Sequence, residues 1–140
     1  MDHYNLVTTT NKNLWMKSKK NILVGDWCLL NNKNLKDYKY IIQPYHWHNL
    51  DKKKGDVRYI SRVYKVISQQ LANSLNKYHN LNLPLKYWES LFYPWLDFWI
   101  AMVFDRWETI KILKKKNSNL STNLIKFNDK SFITNDGRSL

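Results

Sequence analysis

Apolar positions come in short runs over the first third of the chain and in long periodic ones after it. Tyr4 to Thr10 is apolar and β-branched enough for a strand, and Asn21 to Gly25 (NILVG) is a short buried-strand run ending in glycine. Asp26 follows the glycine and is placed to cap a short helix through Leu30, the strand, glycine, acid, helix order of an α/β edge. Asn31 to Asp37 reads as a polar loop. Tyr38 to Gln43 reads as a further strand, closed by Pro44, which has no N–H to give to a ladder.

A helical period sets in at Asp56. Ile60, Val63, Tyr64, Ile67, Leu71, Leu75 and Tyr78 recur at three- and four-residue steps, with Lys65, Gln69, Gln70, Asn73 and Lys77 on other faces. The pattern predicts one amphipathic helix with Asp56 as its N-cap, ended by Asn80 to Asn82, and Pro84 suits the first turn of the next. Leu83 to Trp107 then packs four of the seven tryptophans among aromatic and aliphatic neighbours, its charges being Lys86, Glu89, Asp97, Asp105 and Arg106. A helix so apolar around its circumference has to be enclosed by other structure. Pro94 predicts a kink or break between a helix near 84–92 and another near 95–115, with Lys114 to Lys116 favourable at the carboxyl end. The expectation is an α/β fold: a small, mainly parallel sheet, three to four helices and an aromatic-rich helical carboxyl-terminal half. Residues 1–116 form the domain, and 117–140 read as a polar tail with a turn at Asn135 to Gly137.

A length of 140 residues suits one domain, and 44% hydrophobic with 15% aromatic residues supplies a core. The formal charge of +12 invites a polyanion partner, but 19 of the 23 basic residues are lysine and asparagine occurs 17 times, the look of AT-rich coding bias. The lysines are scattered in short groups at the ends of apolar segments. They read as solvated surface, so nucleic acid is not the expected partner. Cys28 is the single cysteine, which rules out an internal disulfide. The amino terminus lacks a signal-peptide core, and the longest hydrophobic stretch, Tyr93 to Phe104, falls short of the roughly 20 residues of a membrane span. The expected location is cytoplasmic, free or at the inner face of the membrane.

The candidate chemistry lies first in Pro44 to Asp51, PYHWHNLD, after a predicted strand, where open α/β sheets place ligand-binding loops. A continued strand would turn His46 and His48 the same way, enough for two metal ligands; a third, from Asp51, His79 or His3, is not specified, and no metal is assigned. The imidazoles otherwise orient a substrate in a cleft or are structural. Asp26 is a general base, a hydroxyl acceptor or simply a cap. Asp105 and Arg106 interrupt an apolar helix and therefore pair with each other, with another charge or with an anionic ligand. Trp27, Trp47, Trp88 and Trp95 either stack on a sugar or base or pack the core. No GxGxxG, Walker, GxSxG, CxxC or HExxH sequence is present, so no resident cofactor is expected.

The ordered islands Gly25-Asp26-Trp27-Cys28, Pro44-Tyr45-His46-Trp47, Leu75-Asn76 with His79, Tyr87-Trp88, Pro94-Trp95-Leu96 and Asp105-Arg106-Trp107 resemble the amino-terminal region of a bacterial transferase family. That family is found among surface-polysaccharide and lipopolysaccharide O-antigen biosynthesis proteins, and its members are considerably longer than this chain. The resemblance implies a glycosyltransferase-like enzyme using a nucleotide-sugar donor, with Rossmann-like halves of which the front one serves the acceptor. FITND, residues 132–136, looks like the family's mid-protein sequence, so the chain reads as a front portion, inactive alone and needing a carboxyl-terminal transferase half. Its partners would be that half, a carbohydrate or lipid-linked acceptor, and a peripheral membrane contact. Asp26 and His46 are the catalytic candidates; Trp27, Trp47, His48, His79, Lys86, Tyr87, Trp88, Asp105 and Arg106 are the substrate-binding ones. Lys86 stands where the family pattern has arginine, and lysine lacks the bidentate fork. Two rival readings make different surface predictions. A nucleic-acid module needs a contiguous basic face beside exposed rings, and a membrane or protein docking domain needs an exposed apolar patch on residues 88–107.

Overall fold

The computed structural model describes residues 3–124 apart from 31, 33 and 118. It divides into two compact units, residues 1–41 with 119–140, and residues 42–118. The predicted turn at Asn135 to Gly137 lies outside the described residues.

The first unit is built on the sheet. Strands β1 (Tyr4–Val7), β2 (Lys20–Leu23), β3 (Tyr40–Ile42) and β4 (Leu120–Ser121) lie in the order β3-β2-β1-β4, with β1 parallel to both β2 and β4. Its interior holds Leu6, Val7, Trp15, Ile22, Leu23, Val24 and Cys28. Strands buried on both faces read as near-continuous apolar runs, which is why NILV was legible. Among these apolar positions sit two fully buried amides, Asn5 and Asn21, in register on β1 and β2. Asn5 Nδ2 donates to Asn21 Oδ1 at 2.8 Å, and Asn21 Nδ2 donates to the Met16 and Lys39 carbonyls at 2.8 and 3.1 Å. The Met16 N–H donates back to Asn21 Oδ1 at 3.0 Å, so one side chain ties the β1–β2 connection and the approach to β3 to the sheet.

After β2 comes a single 3₁₀ turn, Asp26–Leu29, in place of the expected short helix through Leu30. Its N-cap is Gly25, so Asp26 is the first residue of the turn and not the cap. Gly25 is extended; a Cβ there would meet the Trp27 ring at 2.6 Å, so glycine is needed for close packing and not for a special φ. The β1–β2 crossover likewise carries only the 3₁₀ turn Lys12–Leu14. β4 arises within the stretch read as a polar tail: Tyr4 N–H donates to the Asn119 carbonyl at 3.0 Å and Thr122 Oγ1 to that of Leu6 at 3.0 Å.

The second unit is a hairpin of two long helices, α1 (Leu50–His79) and α2 (Leu85–Lys116), preceded by the 3₁₀ turn His46–His48. Among the described residues two α-helices thus stand in place of the three to four expected. α2 runs through Pro94 without a break, because neighbouring turns hold the helix while proline forfeits one ladder bond. α1 begins seven residues before the expected start. Asn49 is its N-cap, accepting from Lys52 N–H at 2.9 Å, which places Asp56 inside the helix. The run Lys52-Lys53-Lys54-Gly55 carries no apolar stripe and hid that first turn from periodicity.

Tyr64 meets Glu89 and Tyr93, and Tyr59 meets Phe104, so the helices run antiparallel. Ile60, Tyr64 and Ala72 pack against Trp88, Phe92, Leu96 and Ile100 along the seam. Asn80 closes α1 in the left-handed region at φ 55°, a conformation asparagine tolerates better than most side chains. Asn76 then bolts the hairpin: its Oδ1 accepts from Leu83 N–H at 3.0 Å and Trp88 Nε1 at 2.9 Å, while Nδ2 donates to the Leu83 carbonyl at 2.9 Å.

Candidate functional site

The open end of the hairpin carries the densest cluster of ionisable groups. The 3₁₀ turn His46–His48 delivers His46 and Trp47, α1 supplies Lys52 and Asp56, and α2 supplies Asp105, Arg106 and Glu108. His46 Nε2 lies 3.0 Å from Asp105 Oδ1, and His46 Nδ1 lies 3.9 Å from Asp56 Oδ2. The His46 side chain is 4% exposed, yet neither ring nitrogen nor Asp105 Oδ1 has a hydrogen-bond partner among the described residues, the 3.0 Å approach being out of line. Buried polar atoms are nearly always paired, so unspent capacity on adjacent groups marks a place for a ligand hydroxyl or a small shift of the ring. Asp105 is held on its other oxygen by Arg106 Nη1 at 2.8 Å.

Around this pair the charges are compensated. Lys52 Nζ reaches Asp56 at 2.6 Å and Glu108 at 3.4 Å, Glu108 meets Lys111 at 3.4 Å, and Trp47 Nε1 donates to Asp56 at 2.9 Å. For Asp56, burial alone would raise the pKa. Hydrogen bonds from Lys52 and Trp47, with the positive charge of Lys52, outweigh it and hold the carboxyl below its ordinary value. For Lys52, burial alone would lower the pKa, and Asp56 with Glu108 drive it above the ordinary lysine value instead. Partial burial pushes the Tyr45 phenol up; Asp105 adds to the rise and Arg106 opposes it. Trp47 stacks on Phe104 at 6.4 Å, pinning the turn to α2, and Tyr45 packs against the His46 ring at 5.7 Å.

His46, Trp47, Asp105 and Arg106 therefore meet, with His48 exposed on the same turn. His46 and His48 do not share a strand face, because the chain turns into a 3₁₀ helix after Tyr45. Among the described residues no group of three or more His, Cys, Asp or Glu side chains is arranged to hold a metal ion. His79, Lys86, Tyr87 and Trp88 lie at the closed end. At 1.5 Å per residue, Asp56 and Asn76 are about 30 Å apart along α1. There His79 stacks on Trp88 at 6.0 Å, Trp88 is buried with its N–H bonded to Asn76, and Lys86 and Tyr87 are exposed. Asp26 and Trp27 belong to the first unit, Asp26 exposed and Trp27 half-buried. Sequence reasoning missed Lys52 and Glu108 and read Asp56 as a cap. The signal that could have found the Lys52–Asp56 pair was its spacing, four residues apart on one helix face; nothing local points to Glu108.

Residues 4–140 match the model of the LIC12162 family transferase. The chain belongs to that family. Neither the curated proteins nor the solved structures give a match. No helix among the described residues is long and apolar enough to cross a membrane.

Proposed function

We propose that this chain forms the acceptor side of a sugar-nucleotide-dependent glycosyl transfer in bacterial surface-polysaccharide biosynthesis, of the lipopolysaccharide O-antigen class. The observation that carries the reading is the buried His46–Asp105 pair, with both imidazole nitrogens lacking a hydrogen-bond partner among the described residues. Asp105, braced by Arg106, stands 3.0 Å from Nε2, where a small shift of the ring brings the two into line. His46 takes the proton of an acceptor hydroxyl at Nδ1. The acceptor oxygen bonds to the anomeric carbon of the donor, and the bond from that carbon to the nucleoside diphosphate breaks, the diphosphate leaving with the electron pair. Tyr45, Trp47 and His48 offer ring faces and polar edges to the acceptor sugar.

The site at the closed end, with His79, Lys86 and Tyr87, is too far from His46 to touch the same sugar and suits the distal part of a long, lipid-linked acceptor. Asp26 and Trp27, just beyond the carboxyl end of β2, are a second candidate for hydroxyl contacts, tested separately. A Rossmann-like ancestry of the sheet is supported by its order, β3-β2-β1-β4, which is the first part of the doubly wound arrangement. With three glycines and no phosphate-cradling sequence, the donor diphosphate is held by another transferase segment, and the chain is inactive without it. The working location is the cytoplasmic side of the membrane.

The test is replacement of the gene in its native host by His46→Ala and, separately, by Asp26→Ala. Loss of surface polysaccharide with normal accumulation of the His46→Ala protein is expected. Wild-type polysaccharide in both variants removes both residues from the site.

A further inference from the structure

The sequence scatters its lysines, but the first unit gathers four of them at one place. A depression of about 430 Å³ is lined by Lys17, Lys19 and Lys20 at the entry to β2, Lys39 at the entry to β3 and His3 at the entry to β1. The backbone that carries them is held from inside the sheet. Fully buried Asn21 donates through Nδ2 to the Met16, Lys19 and Lys39 carbonyls at 2.8, 3.4 and 3.1 Å, and its backbone N–H donates to the Lys39 carbonyl at 2.8 Å. One buried amide thus fixes the stretch before β2 beside the stretch before β3, and the lysines on both follow.

Among the described residues no acidic side chain lines the depression. Asp37 reaches Lys17 at 3.6 Å, but both side chains are well exposed and such a pair holds weakly. Lys19, Lys20 and Lys39 have no ion pair among the described residues. A cleft walled by one sign of charge focuses its field and concentrates ions of the other sign. Three ammonium groups around one depression repel one another, and an anion with several charged oxygens relieves all three, where a single carboxylate relieves one. Lysine meets phosphate as a point charge and needs no fork geometry to do so. A nucleic-acid strand calls instead for a longer track with several stacking rings. Asp26 and Trp27 lie beyond the opposite, carboxyl end of β2, where open α/β sheets place their reacting ligands, so the depression is a site apart from them.

We propose that this depression binds a multiply charged phosphate group, a diphosphate or phosphate ester, carried by a free ligand or by a lipid headgroup. His46 belongs to the other unit, so its chemistry and this site are tested apart.

The experiment is calorimetric titration of the full chain with inorganic diphosphate at low and high salt. One saturable site is expected, weakening as salt rises. Lys20→Gln with Lys39→Gln should lower the affinity at least about tenfold. Lys53→Gln with Lys54→Gln removes the same charge from exposed positions on α1 and should leave the affinity within about twofold. Circular dichroism checks that both double variants keep the wild-type fold. Displacement of diphosphate by uridine diphosphate assigns the site to a free ligand; displacement by phosphatidylcholine vesicles carrying phosphatidic acid, and not by uridine diphosphate, assigns it to a headgroup. Absence of saturable binding overturns the proposal, as does an equal loss in the two folded double variants, which would make the effect one of net charge. So does a single-stranded oligonucleotide that binds through Lys20 and Lys39 more tightly than diphosphate, which would assign the lysines to nucleic acid.

Discussion

His46 Nε2 and Asp105 Oδ1 come within 3.0 Å although 59 positions separate them in the chain (105 − 46 = 59), and neither atom has a hydrogen-bond partner among the described residues. Two constructions bring them together. The 3₁₀ turn places His46 against the first turns of α1, and the hairpin folds α2 back so that Asp105 returns to the same end. Trp47 fixes the turn from both sides, through its hydrogen bond to Asp56 and its stacking on Phe104.

The hairpin depends on Asn76. Asn76→Ala removes three hydrogen bonds and leaves the Trp88 N–H and both Leu83 backbone groups to find other partners. A loss of about 2–3 kcal/mol is expected in urea unfolding. A loss under about 0.5 kcal/mol would show that water replaces the amide without cost.

Asn21 has the same standing in the sheet. Asn21→Leu keeps the volume but leaves Met16 and Asn5 without their partner inside the first unit. Destabilisation of about 3 kcal/mol is expected. Asn5→Leu with Asn21→Leu together should cost less than the sum of the two single changes, because the amides bond each other. Additive costs in a double-mutant cycle would contradict the pairing.

Burial, with Glu89 beside it, pushes the Tyr64 phenol from 10.0 up to about 12. A raised pKa favours the protonated form in the fold, so this stabilisation is complete below pH 10 and is lost as pH rises toward 12. The loss amounts to at most roughly 3 kcal/mol on the alkaline side. In alkaline unfolding curves Tyr64→Phe should remove that part of the pH dependence. An unchanged alkaline limb would mean that the hydroxyl is solvated.

Much of the fold was legible where one local rule acted alone. The buried run at Ile22 to Val24 and the stripe from Ile60 to Tyr78 each gave the right element, because burial on one face imposes a period. The errors fall where a second effect competed. Pro94 is a helix breaker in isolation, yet the packing of Phe92, Leu96 and Ile100 carries α2 past it. β4 is two residues in an asparagine-rich stretch, and only its pairing with β1 makes it a strand. Of the site, His46, Trp47, Asp105 and Arg106 were visible through the ordered islands of the family resemblance. Lys52 and Glu108 were not, since nothing local says that α2 returns to the start of α1.

The most direct measurement is turnover of the transferase, with its donor-binding segment present, in wild type, His46→Ala and Asp105→Asn, with and without added imidazole. The account predicts a loss of at least about a hundredfold in His46→Ala, partly restored by free imidazole, and a smaller loss in Asp105→Asn that imidazole does not restore. Wild-type turnover in His46→Ala, or a loss in that folded variant that imidazole leaves untouched, would contradict the assignment of His46 as the base.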